Sequence, residues 1–141
     1  MNIAVILAGG SGTRLGNDIP KQFLKVAGKK VLEHTIEVFE NAKNIDEICI
    51  VSRIDCINDV ESIVVNNGYL KVKKILAGGK ERYDSSLAAI HAYPNGNHNL
   101  LFHDAVRPLL TERIIDDCLK ALERYNAVDV AIKTTDTIIQ V

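Results

Sequence analysis

Five short apolar runs recur along this chain, and segments with helical spacing separate them. Ile3–Leu7, Glu47–Ser52, Val72–Ala77, Asn99–His103 and Val128–Ile132 each read as a strand. Val31–Asn41 sets Val31, Leu32, Thr35, Ile36, Val38 and Phe39 on one helical stripe. Ile54–Asn67 reads as a helix closed by Asn66-Asn67-Gly68, a helix-stop signal. Asp84–Ala92 reads as another, ended by Pro94-Asn95-Gly96, and Thr111 can cap one running to about Tyr125. Strands that alternate with helices pair in parallel through helical crossovers. The pattern therefore predicts an α/β fold with a mostly parallel, doubly wound sheet. In such sheets ligands sit beyond the carboxyl ends of the strands.

The totals narrow the class. The chain has 141 residues, one domain by size and enough to bury a core. Its formal net charge of −1 argues against a nucleic-acid binder, which carries a basic excess. Lys71, Lys73 and Lys74 form a local basic cluster, expected to blunt an exposed strand edge. No apolar run approaches the roughly 20 residues of a membrane span, and no signal peptide is visible. Cys49, Cys56 and Cys118 have neither metal-ligand nor Cys-x-x-Cys spacing, which suits a reducing, cytoplasmic setting. Thr137–Val141 begins an extended piece without turn or cap. This reads as a chain cut short, a terminal edge strand being the alternative.

Three polar or glycine-rich stretches follow strand ends and can converge on one crevice. The first is Leu7-Ala8-Gly9-Gly10-Ser11-Gly12-Thr13-Arg14-Leu15, with Pro20-Lys21-Gln22 just beyond. Its glycines let backbone N–H groups approach an anion, and Arg14 and Lys21 add two cations. Pro20 fixes φ just ahead of Lys21. The loop lacks the Gly-Lys-Ser/Thr close of a Walker A motif. It also has Leu15 where a dinucleotide fingerprint needs glycine, and Ser52-Arg53 where that fingerprint expects an acid. A turn used only for tight strand–helix packing is the plainer alternative.

The second stretch is Ala77-Gly78-Gly79-Lys80-Glu81-Arg82-Tyr83-Asp84-Ser85. It is weaker alone, because Gly78-Gly79 can be a left-handed turn and Asp84 or Ser85 a helix cap. The third is His103-Asp104-Ala105-Val106-Arg107-Pro108. A strand-end carboxylate such as Asp104 can hold Mg²⁺ against phosphate oxygens, and Arg107 offers a bidentate grip on an anion; an Asp104–Arg107 pair that only ties the loop is the alternative. His103 reads as structural, and His34, His91 and His98 as surface or helix residues. Cations, glycines and one aspartate suit phosphoryl or nucleotidyl transfer, where positioning and charge stabilisation carry the catalysis.

In order and spacing these motifs resemble the sugar-alcohol-phosphate cytidylyltransferase family, over the whole chain from Ile3 to Asp136-Thr137. That family includes the D-ribitol 5-phosphate and 2-C-methyl-D-erythritol 4-phosphate enzymes. The resemblance implies a Rossmann-like domain of the nucleotide-diphospho-sugar transferase type. Residues 1–141 would be its nucleotide-binding portion, ending where a β-arm begins. It implies CTP and a polyol phosphate as substrates, Mg²⁺ or another divalent cation as cofactor, and a homodimer for the full-length protein.

By the same resemblance, Ala8, Gly9, Gly79, Lys80 and Ser85 would hold the cytidine. Gly10, Ser11, Gly12 and Thr13 would wrap the triphosphate. Arg14 and Lys21 match the two cations that stabilise the transition state. Asp104 matches the metal-binding aspartate, Arg107 lies toward the polyol phosphate, and Thr137 would reach that phosphate in a partner's site. The family often has an acid where Lys80 stands. Leu-Ala-Gly-Gly and the Ala-Val within the third motif favour the ribitol branch, while Ser85 is also at home in the methylerythritol branch. An NAD(P)-binding domain and a non-catalytic nucleotide-binding fragment are the rival readings.

Overall fold

A computed structural model describes residues 1–10 and 19–132. Strand β1 (Asn2–Ala8) lies between β4 (Glu47–Ser52) and β6 (Asn99–Asp104), and β5 (Val72–Ala77) flanks β4. All three pairings are parallel, giving the order β5-β4-β1-β6. The chain steps outward from β1 to β4 and β5, then returns to the far side of β1 to lay down β6. That reversal opens a crevice at the carboxyl ends of the strands.

Successive side chains of a strand point to opposite faces, and β1 divides its apolar residues accordingly. Ala4, Ile6 and Ala8 face a core with Ile48, Ile50, Leu32, Ile36, Phe39, Val60 and Ile115. Ile3, Val5 and Leu7 face the other core, with Cys49, Val51, Ala89 and Tyr93. Helices α1 (Val31–Asn41), α2 (Ile57–Asn67) and α4 (Glu112–Leu122) thus feed the first core, and α3 (Arg82–His91) feeds the second. Burial on both faces explains why β1 and β4 are almost continuously apolar. No described helix is long and apolar enough to cross a membrane.

Most expected elements occur, with four differences. The helix expected over Ile54–Asn67 is a 3-10 turn, Ile54–Cys56, followed by α2, because Cys56 departs from helical geometry at φ −110° and ψ 0°. Gly68 stops α2 at φ 66°, and the Tyr69 N–H returns to the Val64 carbonyl at 3.2 Å. Second, Gly78 and Gly79 do not have positive φ, so no left-handed turn precedes α3. Third, Val128–Ile132 forms no strand. It finds no ladder partner among the described residues, and Ile132 is 94% exposed. Fourth, a hairpin of β2 (Lys25–Val26) and β3 (Lys29–Lys30) was not expected; Ala27 and Gly28 turn it, both at positive φ. Thr111 does occupy the N-cap position of α4, but its hydroxyl makes no capping bond.

The basic cluster lies at the β5 edge, as expected, but it is only partly solvated. Lys71 Nζ donates to the Ala42 carbonyl at 2.6 Å, and Lys74 Nζ sits 4.0 Å from the centroid of the Tyr93 ring. The segment 133–141, with Asp136, Thr137 and the expected start of the arm, lies outside the described residues.

Candidate functional site

A cleft of about 520 Å³ opens at the carboxyl ends of the strands, within the usual range for small-ligand sites. Ala8, Gly9 and Gly10 after β1 form one wall, and Gly79 to Arg82 and Ser85 form another. Asp104, Ala105 and Val106 close it from β6, and Arg53 contributes from the end of β4. All three stretches singled out from sequence therefore meet in one place.

The two glycine pairs are there for different reasons. A Cβ on Gly78 would sit 2.6 Å from Ser85 Oγ, and one on Gly79 would sit 2.1 Å from Asp84 Cβ. Close packing of the β5–α3 turn excludes side chains there. Among the described residues, a Cβ on Gly10 would meet nothing within 4 Å, and one on Gly9 would meet Ser85 Oγ at an ordinary 3.6 Å. The packing of the described residues does not demand glycine at 9 and 10. Their bareness leaves space on the cleft side, which weighs against a turn kept only for packing.

Ser85 joins the two segments. It is 5% exposed, faces both glycine stretches and has its Oγ 3.4 Å from the Glu81 carbonyl. The alternative that Asp84 serves as a cap also holds: its Oδ2 accepts the Glu81 N–H at 2.9 Å. Asp104 is clamped by two guanidinium groups, with Arg82 on Oδ1 and Arg107 Nε 2.9 Å from Oδ2. His103 has the structural place expected of it. Its ring packs edge-on against Phe39, and its Nε2 lies 2.9 Å from the Arg107 carbonyl.

Of the residues singled out from sequence, Ala8, Gly9, Gly10, Gly79, Lys80, Ser85 and Asp104 line the cleft. Arg107 touches it through Asp104. Lys21 begins a 3-10 turn, Lys21–Phe23, beside the first wall but does not line it. Ser11, Gly12, Thr13, Arg14 and Thr137 lie outside the described residues. Sequence reasoning passed over Arg82, Arg53, Glu81 and Gln22. Gln22 is 1% exposed, and only its place within Pro-Lys-Gln hinted at a role.

Parallel strands, glycine-bare loops at their ends, and a strand-end carboxylate held between arginines define an α/β domain with a ligand-sized cleft at the carboxyl ends of its sheet. The chain belongs to the family described as IspD, 2-C-methyl-D-erythritol 4-phosphate cytidylyltransferase, which matches residues 2–141. It is similar to a bifunctional ribulose 5-phosphate reductase/CDP-ribitol pyrophosphorylase of Haemophilus influenzae, at 52% identity over 99% of this chain and 30% of that one. A 2-C-methyl-D-erythritol 4-phosphate cytidylyltransferase of Thermobifida fusca is 40% identical over 98% of this chain and 56% of its own length. The crystal structure of 4-diphosphocytidyl-2C-methyl-D-erythritol synthase from Anaerococcus prevotii superposes with a TM-score of 0.81 at 30% identity. That match covers 97% of this chain and 57% of the other. The chain thus spans between 30% and 57% of the length of these three relatives.

Proposed function

We propose that this chain is the nucleotide-binding part of a cytidylyltransferase that transfers CMP from CTP to D-ribitol 5-phosphate, giving CDP-ribitol and pyrophosphate. The observation that carries the choice of substrate is the 52% identity to the Haemophilus influenzae protein, whose name includes CDP-ribitol pyrophosphorylase. Among the described residues, the open space at Gly10 supports a phosphate-bearing ligand at that wall.

In this reading the backbone of Ala8 and Gly9, with Gly79, Lys80 and Ser85, holds the cytidine, and Gly10 to Thr13 wrap the triphosphate. The attacking group is a phosphate monoester oxygen, ionised near neutral pH because its second pKa is about 6. No general base is needed. A bond forms from that oxygen to the α-phosphorus as the bond to the bridging oxygen breaks and pyrophosphate leaves. Arg14 and Lys21 oppose the charge that builds at the α-phosphoryl group. Arg107 would serve the polyol phosphate, and Thr137 the same phosphate in a partner's site.

Asp104 is suited to a divalent cation. Mg²⁺ takes one or two carboxylates and fills its remaining positions with phosphate oxygens and water. Both Asp104 oxygens are paired with guanidinium groups, so one pair would open to admit an ion. Bound there, Mg²⁺ would neutralise charge on the triphosphate.

Pyrophosphate release from CTP and Mg²⁺ with each polyol phosphate in turn tests the assignment. Release is expected with D-ribitol 5-phosphate. Release with 2-C-methyl-D-erythritol 4-phosphate alone would favour the second reading, which the family description and the Thermobifida fusca relative support. In the full-length enzyme, Arg14→Ala or Lys21→Ala should lower turnover by about 100-fold with the fold intact. Unchanged turnover in both variants would contradict the mechanism.

A further inference from the structure

Gln22 lies almost wholly inside the protein, yet its carboxamide faces the backbone of the glycine loop. Its Nε2 is 2.9 Å from the Ala8 carbonyl oxygen and 3.4 Å from that of Gly10. A carboxamide nitrogen carries two protons, so one side chain can serve both acceptors.

The peptide group is planar and trans, so turning the Ala8 carbonyl toward Gln22 turns the Gly9 N–H to the opposite side. Among the described residues, neither the Gly9 nor the Gly10 N–H donates to a backbone carbonyl. Gly9 lines the cleft, so its N–H is placed to meet a ligand there.

The brace itself is held firmly. The Phe23 N–H donates to the Pro20 carbonyl at 2.9 Å, the Val31 N–H donates to the Leu24 carbonyl at 2.9 Å, and Phe23 packs on the main core. A rigid turn thus reaches across to a loop that has no side chains at 9 and 10 to fix it.

We propose that Gln22 is a positioning residue. It pins the Ala8 carbonyl so that the Gly9 N–H is aimed into the cleft before the triphosphate arrives, and its second contact, to the Gly10 carbonyl, holds the segment on the far side of that glycine. This rests on the nucleotide-site reading above. Without the brace, binding must also order a glycine-rich segment, which weakens affinity.

The test compares CTP–Mg²⁺ affinity by calorimetry with thermal unfolding in the absence of ligand, on the full chain. Gln22→Met keeps the volume and removes both donors. Gln22→Glu keeps the shape but turns an acceptor toward two carbonyls. Val60→Ala truncates a fully buried core residue of α2 that is outside the cleft, and serves as a stability control. Gln22→Met should weaken CTP binding by about tenfold or more, and Gln22→Glu by more again, while Val60→Ala lowers the melting temperature and leaves affinity within about twofold. Wild-type affinity in Gln22→Met, or an equal affinity loss in Val60→Ala, would overturn the proposal and leave the nucleotide-site reading standing. Failure of both Gln22 variants to fold while Val60→Ala folds would overturn it too, because Gln22 would then be a core residue. No CTP binding by the unaltered chain would overturn the nucleotide-site reading itself.

Discussion

Gly10 and Gly79 line the same cleft, yet substitution should separate them. Gly79→Ala drives a methyl into Asp84 Cβ and should cost about 1–3 kcal/mol of stability, read as a lower melting temperature. Gly10→Ala meets no atom of the described residues, so its melting temperature should fall less than that of Gly79→Ala. Its CTP affinity should instead fall by about tenfold, or about 1.4 kcal/mol. The opposite assignment of the two losses would contradict this account of the glycines. Cys49 gives a chemical check at the same scale. Burial between the sheet and α3 pushes its thiol up to about 11. At pH 8 it stays protonated, and alkylation followed by mass spectrometry should modify it only after unfolding. Asp104 was legible as a strand-end acid and its pairing with Arg107 as an alternative, but the second arginine, Arg82, was not. Arg82 and Arg107 stand 22 and 3 residues from it in sequence, and only the return of β6 beside β1 brings Arg82 to it. Gln22 stayed hidden because a lone glutamine has no periodicity, and its partners are backbone atoms.

Elements whose sequences carry a clear period emerged as expected. Helix α1 begins and ends where its stripe of Leu32, Thr35, Ile36 and Phe39 places it, and β4 covers its apolar run. The β2–β3 hairpin was opaque, since two-residue strands made mostly of lysine have no alternation to detect. Its turn puts Ala27 at φ 50°, a region that side chains with a Cβ seldom adopt. Replacing Ala27 with Asn should stabilise the protein by about 0.5–1 kcal/mol, measured by chemical denaturation. A loss of stability would contradict the turn geometry. Val128–Ile132 failed as a strand because an apolar alternation needs a neighbouring strand as much as a pattern. At the start of α1, Glu33 accepts the Lys30 backbone N–H. Burial works to raise its pKa, but this bond, Asn67 and the charges of Lys30 and Lys29 together hold it below the ordinary value. A lowered carboxylate stabilises the fold above its unfolded pKa of about 4.3, and that stability is lost as pH falls through the folded value. Glu33→Gln should therefore cost about 0.5–1 kcal/mol at pH 7, the size of a cap interaction. The difference from wild type should shrink as the pH drops below about 4. A difference independent of pH would contradict it.

At the scale of the whole molecule, parallel topology turns three distant glycine- or charge-bearing segments into one cleft. Strand ends 8, 77 and 104 come together because β1, β5 and β6 run in the same direction within one sheet. That convergence was readable from the alternation of strands and helices. Ala8, Gly9, Gly10, Gly79, Lys80, Ser85 and Asp104 line it as singled out, but the places of Arg53, Arg82 and Gln22 were not readable, because they depend on side-chain direction rather than order along the chain. The central claim is that this cleft receives CTP. Its most direct test is amide chemical-shift mapping of the chain titrated with CTP and Mg²⁺, with NADPH as the comparison. CTP should saturate, with the largest shifts at Gly9, Gly10, Gly79, Ser85 and Ala105, and NADPH should leave them unmoved. Shifts gathered away from these residues, or the same response to NADPH, would contradict the claim.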